Sequence, residues 1–248
     1  MDLSMFAMEG RTVIITGGSG GIGRGCARAF ANAGANIVIA SVPADSIPPA
    51  VEEVEALGVQ ALGVTANVTD PAQVANMVSQ TMDRFGRIDV LVNNAAVVTH
   101  FQWGLPRWPV IRDMDSEFWD KVIGTNLRGT FLCTKYALPH MEARGAGHVV
   151  STMGGGSTEV PGSCAYAVSK DAIKTLTKFV AEEERSHGIC VVMISPGTQI
   201  ATELAPDEAR QRMAGPEFVG QSFVMAAEAS MELSGEVLEL HDGELRPR

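Results

Sequence analysis

The sequence predicts an α/β fold, a parallel sheet doubly wound with helices on both faces. Three observations carry that expectation. Short β-branched runs alternate with stretches of helical spacing along the chain, the pattern of repeated strand–helix units. Strand runs such as "RTVIITGG" and "ICVVMISPG" are apolar on both faces, as strands buried between two helix layers must be. No proline-rich or serine-rich linker divides the 248 residues, so residues 1–248 are expected to form a single domain.

In chain order, "RTVIITGG" is the first strand, and "GIGRGCARAFANAG" after it has helical spacing with a glycine stop. "NIVIAS" precedes a helix over about 49–57, and "VQALGVTANV" precedes one over 70–85. "IDVLVNNAA" leads to a long helix from about Ser116, and "HVVSTM" to a helix over 163–187. "ICVVMISPG" runs into an irregular stretch and a last strand, "EVLELHDG". Right-handed crossovers make such a sheet doubly wound, and its ligand sits beyond the carboxyl ends of the strands, where the strand order reverses. The candidate segments are therefore 16–23, 93–96, 151–156 and 195–202, distant in sequence and expected to converge.

Composition narrows the function classes. A formal net charge of −10 without a local cluster of lysine and arginine repels phosphate backbones and anionic lipid, so nucleic acid is not an expected partner. No apolar run approaches the roughly 18 residues of a membrane helix, and "MDLSMFAMEG" has no apolar stretch of signal-peptide length. The expected location is cytoplasmic, with no membrane. Cys26, Cys133, Cys164 and Cys190 are widely spaced, without a Cys-x-x-Cys or a histidine partner, so neither a metal nor a disulfide framework is expected.

"TGGSGGIG" follows the first strand and opens the first helix, where unpaired N–H groups and the helix dipole favour a pyrophosphate. It fits Gly-x-Gly-x-x-Gly through Gly18, Gly20 and Gly23, and equally Thr-Gly-x-x-x-Gly-x-Gly through Thr16, Gly17, Gly21 and Gly23. A plain flexible loop is the alternative, but its place between strand and helix favours a nucleotide. Gly17, Ser19, Gly21, Ile22 and Gly23 are the candidate cofactor contacts. The second strand ends on Ser41 where an acid would select NAD, and no neighbouring arginine or lysine attracts the extra phosphate of NADP, so the cofactor is NAD or NADP.

Tyr166 and Lys170 are spaced i,i+4 on one helical face. An ammonium beside a phenol favours the phenolate and is expected to lower its pKa, making Tyr166 an acid/base for an alcohol or carbonyl oxygen while a hydride moves at carbon. An accidental pairing is the alternative for any one such pair, but this one opens the helix after the fifth strand, beside the proposed cofactor.

With these residues in place the chain resembles the short-chain dehydrogenase/reductase family from about Arg11 to Gly243. The matching pieces are "TGGSGGIG", "NNAA" at 93–96, "TNLRGTF" at 125–131, "YAVSK" at 166–170, "SPG" at 195–197 and "SGEVLELHDG". The resemblance implies a single Rossmann domain using NAD or NADP, and a homotetramer or homodimer. It implies that Asn93 and Ala95 line the cofactor cleft, that Asn67 with Val68 approaches the adenine, and that Asn126 holds a water linking Lys170 to solvent. It further implies that Lys170 binds the nicotinamide ribose and that Pro196, Gly197 and Thr202 face the nicotinamide.

The pattern breaks at one place. The family's usual serine falls thirteen residues before the tyrosine, and that count lands on Met153, which cannot donate the hydrogen bond. One extra residue in "GGGSTEV" would bring Thr152 into the position, and two would bring Ser151. "PGTQIAT" is also one residue longer than the usual spacing to its threonine, and Asn67 replaces the more usual aspartate.

The stretch 97–115, "VVTHFQWGLPRWPVIRDMD", is longer than a compact connection and is expected to wall the substrate site. In it His100, Phe101, Trp103 and Trp108 suit an apolar small-molecule substrate and Arg107 and Arg112 a carboxylate, or the tryptophans simply anchor the loop. The resemblance makes 203–218 a short lid. The expected activity is NAD(P)-dependent hydride transfer to or from a secondary alcohol or ketone. The alternatives are a dehydratase, epimerase or lyase on the same fold, and a nucleotide-sensing protein without turnover.

Overall fold

A computed structural model describes residues 8–98, 108–154, 161–197, 200, 211 and 214–248. Eight strands form one sheet: β1 (Thr12–Thr16), β2 (Asn36–Ser41), β3 (Ala61–Thr65), β4 (Val90–Asn93), β5 (Gly147–Thr152), β6 (Ile189–Ser195), β7 (Val237–His241) and β8 (Glu244–Pro247). Their order is β3-β2-β1-β4-β5-β6-β7-β8, parallel throughout except for β8, which pairs antiparallel with β7. This is the expected doubly wound sheet of Rossmann type, with its reversal of strand order between β1 and β4.

The helices are α1 (Gly21–Asn32), α2 (Ile47–Glu55), α3 (Pro71–Phe85), α4 (Ser116–Ile123), α5 (Gly129–Glu142), α6 (Cys164–Glu184) and α7 (Pro216–Ala226). Local chemistry sets their ends. Asp70 accepts hydrogen bonds from the Ala72 and Gln73 amides at 2.9 and 3.4 Å, Pro71 opens α3, and Gly86 closes it in the left-handed region at φ 70°. One core lies between the sheet and α1, α2 and α7, holding Val13, Ile15, Val92, Val150 and Ile194. The other lies beneath α3, α5 and α6, holding Ile14, Leu91, Val149 and Val191. Successive strand residues alternate between the two cores, which is why the strands read as continuous apolar runs.

The structure departs from the sequence reading in four places. Helix α2 begins two residues earlier than expected. The single long helix from Ser116 is broken by a π-helical turn, Gly124–Arg128, which carries Asn126. The irregular stretch before the last strand contains α7, whose apolar side, Val219, Phe223 and Val224, is buried on α1. The close crossing shows at Gly220, where a Cβ would come within 2.5 Å of the Gly25 carbonyl. Lastly β8 extends the sheet; its proline and charges suit an exposed edge and hide the strand from pattern reading.

Candidate active site

Because β1, β4, β5 and β6 are adjacent, their carboxyl ends place segments 16–23, 93–98, 152–154 and 195–197 side by side. The first two are tied together. Thr16 Oγ1 accepts from the Asn94 and Ala95 amides at 3.0 and 3.1 Å and donates to the Val92 carbonyl at 3.2 Å. Asn94 Nδ2 donates to the carbonyls of Thr16 and Gly17 at 3.1 and 3.4 Å. A Cβ on Gly17 would lie 3.1 Å from Ala95 Cα, and one on Gly23 would lie 2.1 Å from the Gly17 carbonyl oxygen. Gly17 and Gly21 also sit at φ 65° and 48°. A Cβ on Gly18 would likewise lie 2.9 Å from the Ile15 carbonyl oxygen, so geometry requires glycines of both spacings. No side chain caps α1 at Gly20, and its first turn carries no acid, so the helix end suits an anion. Ile22 packs on the core beneath it.

At the end of β2 three hydroxyls meet. Ser19 Oγ donates to Ser41 Oγ at 2.7 Å and Ser46 Oγ donates to Ser19 Oγ at 2.9 Å. Asn67 Oδ1 accepts from the amide and hydroxyl of Thr69 at 3.1 and 2.9 Å. Val68 packs on Gly129 of α5, where a Cβ would come within 2.6 Å of it. Asn93 is buried and its Nδ2 donates to Thr134 of α5 at 3.0 Å. Its neighbour Asn94 makes the bridge to the glycine loop.

On α6, Lys170 is buried and its Nζ lies 5.8 Å from the centre of the Tyr166 ring. That ammonium donates to the Thr152 carbonyl at 2.7 Å. The relay is braced from behind: Asn126 Oδ1 accepts from the Val97 amide at 2.8 Å, its Nδ2 donates to Ser169 Oγ at 3.0 Å, and Ser169 donates to the Tyr166 carbonyl at 2.7 Å. The π turn is what aims Asn126 inward, a common use of such turns.

The expected acidification of the phenol is reversed in the chain itself. Burial pushes Tyr166 up to about 12 and Lys170 down to about 8, because desolvation opposes the charged form of each. The ammonium is spent on a carbonyl and faces the ring, so it does not offset the phenol's burial. Burial likewise pushes the Cys133 thiol up to about 12, which suits an inert core thiol.

Strand β5 runs without a bulge through Thr152, paired with Ile194, and Met153 continues the ladder to the Ile194 carbonyl at 2.8 Å. Ser151 is buried in the sheet between Asn93 and Met193. Thr152 Oγ1 lies 3.4 Å from Asn94 Oδ1. The Met153 side chain turns into an apolar slot with Leu127, Ile173, Met193 and Val237. What meets the Tyr166 hydroxyl is Gly154: a Cβ there would lie 1.7 Å from the phenol oxygen. The extra residue that would re-register Thr152 or Ser151 falls within 155–160, outside the described residues.

On the far side of Met153, Arg248 Nη1 is 3.3 Å from Ser195 Oγ and 4.0 Å from Met153 Sδ. Pro196 and Gly197 follow β6, with Gly197 at φ 68° and its amide 3.3 Å from Ser195 Oγ. Thr202 lies outside the described residues, as do His100, Phe101, Trp103 and Arg107, and residues 203–210, 212 and 213 of the expected lid. Of the lid, residues 216–218 open α7. From the substrate loop, Trp108 lies against Tyr166 with ring centres 6.1 Å apart, and Arg112 is exposed beside Asp113 at 3.6 Å. Sequence reasoning held Asn94, Gly154 and Ser169 only as parts of the segments 93–96, 151–156 and 166–170, and gave none of the three a role of its own.

A glycine cradle at a helix start, beside a tyrosine and a buried lysine on the next functional strand end, defines a dinucleotide-dependent oxidoreductase. The profile of the short chain dehydrogenase family matches residues 11–212. The chain is 36% identical over 77% of its length to the (2S)-[(R)-hydroxy(phenyl)methyl]succinyl-CoA dehydrogenase subunit BbsD of Thauera aromatica, covering 73% of that protein. It is 38% identical over 84% of its length to the oxidoreductase UcpA of Escherichia coli, covering 76% of it. With the 3-oxoacyl-[acyl-carrier-protein] reductase FabG of Thermotoga maritima it shares 32% identity over 95% of the chain and 98% of that enzyme. A crystal structure of a short-chain type dehydrogenase/reductase from Mycobacterium marinum superposes with a TM-score of 0.84 at 30% identity, over 98% of both chains. The chain belongs to the short-chain dehydrogenase/reductase family and is an NAD(P)-dependent oxidoreductase. No helix among the described residues is long and apolar enough to cross a membrane.

Proposed function

We propose that the protein interconverts a secondary alcohol and its ketone, with Tyr166 carrying the proton. The observation behind this reading is the Tyr166 hydroxyl seated against Gly154 at the end of β5, with the Lys170 ammonium across the same ring. The glycine cradle fits NAD or NADP, because it leaves the start of α1 without a side-chain cap or an acid, open to the phosphates. Gly17, Ser19, Gly21, Ile22 and Gly23 would hold the pyrophosphate, Ser19 and Ser41 the adenosine ribose, and Asn67 and Val68 the adenine. Asn93 and Ala95 would line the cleft, Lys170 would hold the nicotinamide ribose, and Pro196, Gly197 and Thr202 would face the nicotinamide. When bound, the dinucleotide gives or takes the hydride.

The chain's own groups do the rest. In the reducing direction Tyr166 donates its proton to the carbonyl oxygen, and burial keeps that proton in place through neutral pH. In the oxidising direction the phenol must first ionise, which the same burial opposes. Asn126 and Ser169 fix the helix turn that carries both. In place of the absent serine we propose Thr152 ahead of Ser151, since Thr152 ends β5 and already holds Lys170 through its carbonyl.

The relatives' printed substrates, a hydroxy(phenyl)methyl succinyl thioester and 3-oxoacyl groups, support a substrate whose alcohol or ketone lies on an apolar or aromatic acyl chain. Met153 favours a second reading, a dehydration, epimerisation or lyase step with the same cofactor, because a thioether cannot hold an oxyanion. The test is purified protein with NADH and NADPH separately against aromatic and acyl ketones and their alcohols. Cofactor oxidation matched by alcohol formation supports the first reading; loss of water or carbon–carbon cleavage without net cofactor turnover supports the second.

A homodimer or homotetramer is part of the proposal. An apolar groove on α5 and α6, lined by Phe131, Leu138, Leu176, Phe179 and Val180, leaves Phe179 65% exposed, and a second copy would cover it. Sedimentation should show an oligomer that Phe179→Glu dissociates. The proposed compartment is the cytoplasm.

A further inference from the structure

We propose that Trp108 is a positioning residue for Tyr166. With Gly154 and Gly162 it forms a steric clamp that aims the phenol in a chain whose residue 153 supplies no hydroxyl. The proposal rests on Tyr166 being the proton carrier.

Three contacts build the clamp. The Trp108 and Tyr166 rings lie 6.1 Å apart, tilted by 40°, and Trp108 meets Phe118 edge-on at 6.3 Å with an interplanar angle of 79°. Phe118 is fully buried, so the indole is backed by a fixed wall. Gly162 makes room for it: at φ 91° a Cβ would lie 2.5 Å from the Trp108 carbonyl oxygen and 2.6 Å from its Cβ, and any side chain would expel the tryptophan. On the other side, a Cβ on Gly154 would lie 1.7 Å from the Tyr166 oxygen and 2.4 Å from Cζ.

A tyrosine has few side-chain rotamers, and two rigid walls select one without any directed hydrogen bond. Met153 cannot take part, since its side chain is turned into the slot with Ile173 and Met193. The loop tryptophan therefore fixes where the phenol sits, while the hydrogen bond to the substrate oxygen that Met153 cannot donate is left to Thr152 or Ser151. It also helps to keep water from the ring, in line with the burial that pushes the phenol up to about 12.

The chain has two tyrosines, Tyr136 and Tyr166, so the ultraviolet phenolate signal of Tyr166 is obtained by subtracting the Tyr166→Phe variant. At about pH 10.5 the parent should show little Tyr166 phenolate. Trp108→Ala should show most of it, as the phenol relaxes toward its ordinary value near 10. The same variant should lose about 100-fold in kcat, the usual scale for a misplaced catalytic group, with a smaller change in KM. Trp108→Phe should restore most of both signals. Trp108→Ala with the parent's titration and kcat would overturn the clamp.

Should Trp108→Ala fail to fold, Gly154→Ala decides: a loss of about 100-fold in kcat supports the clamp, and the parent's kcat overturns it. Tyr166→Phe that keeps full turnover would instead overturn the catalytic reading. The ultraviolet titration would then still decide whether Trp108 holds the ring.

Discussion

The two halves of the sheet bring a strand end to a reacting group by different means. On the β1–β2 side the backbone does the work. Gly23 is placed by a contact closer than any Cβ permits and Gly17 by its left-handed φ of 65°, and the Thr16 hydroxyl and Asn94 amide lock that loop to β4. On the β5–β6 side the work falls to side chains: a buried lysine on a carbonyl, a phenol between a glycine and an indole, and a methionine turned away into the core. Backbone solutions tolerate little change in sequence. Side-chain solutions can exchange one device for another, which is how a site with Met153 in place of serine still presents its tyrosine.

The largest effect that would sharpen this contrast is on stability. Lys170 is lowered to about 8 by burial, so its charge is costly in the folded state. Below about pH 8 both states carry the proton and the cost is full. Between about 8 and 10.5 the folded state has lost the proton and the unfolded state keeps it, so stability rises with pH. Denaturant melts of parent and Lys170→Met should therefore diverge by about 3 kcal/mol in the parent's favour between those limits. Equal pH dependence in the two would show that the lysine is not desolvated.

Next is the backbone side. Gly23→Ala must push the Gly17 carbonyl aside and should weaken dinucleotide binding by about 1–3 kcal/mol, read by nicotinamide fluorescence. Unchanged affinity would remove the basis for calling this half backbone-built. Met153→Ser should cost about 1–3 kcal/mol in stability, by emptying the slot among Leu127, Ile173, Met193 and Val237. It should raise kcat less than tenfold if Thr152 already supplies the donor to the substrate oxygen; a hundredfold gain would show that the missing hydroxyl was the true deficit. The smallest effect is Ser41→Asp, which should shift the NAD to NADP preference toward NAD by about tenfold, read as the ratio of kcat/KM.

The same contrast explains what was legible. The glycine spacing, the apolar strands and the i,i+4 pair are local patterns, and they gave the fold, the family and the two main catalytic candidates. The π turn at Asn126 was hidden, because Gly124–Arg128 carries one large apolar side chain, Leu127, too few to reveal the shift in helical phase. That Gly154 and Trp108 meet Tyr166 was hidden because it lies in contacts between segments, which no spacing encodes. The direction of the Tyr166 shift was misjudged for a related reason: spacing placed the ammonium on the same face as the phenol, and only the packed core shows that the lysine is committed to Thr152.

The central claim is that Tyr166 carries the proton, and Tyr166→Phe tests it most directly when turnover and dinucleotide binding are measured on the same sample. Loss of one hydroxyl should reduce kcat by about 10²–10⁴-fold while nicotinamide fluorescence reports binding within a few fold of the parent. A variant that binds the dinucleotide and still turns over at the parent's rate would contradict the account.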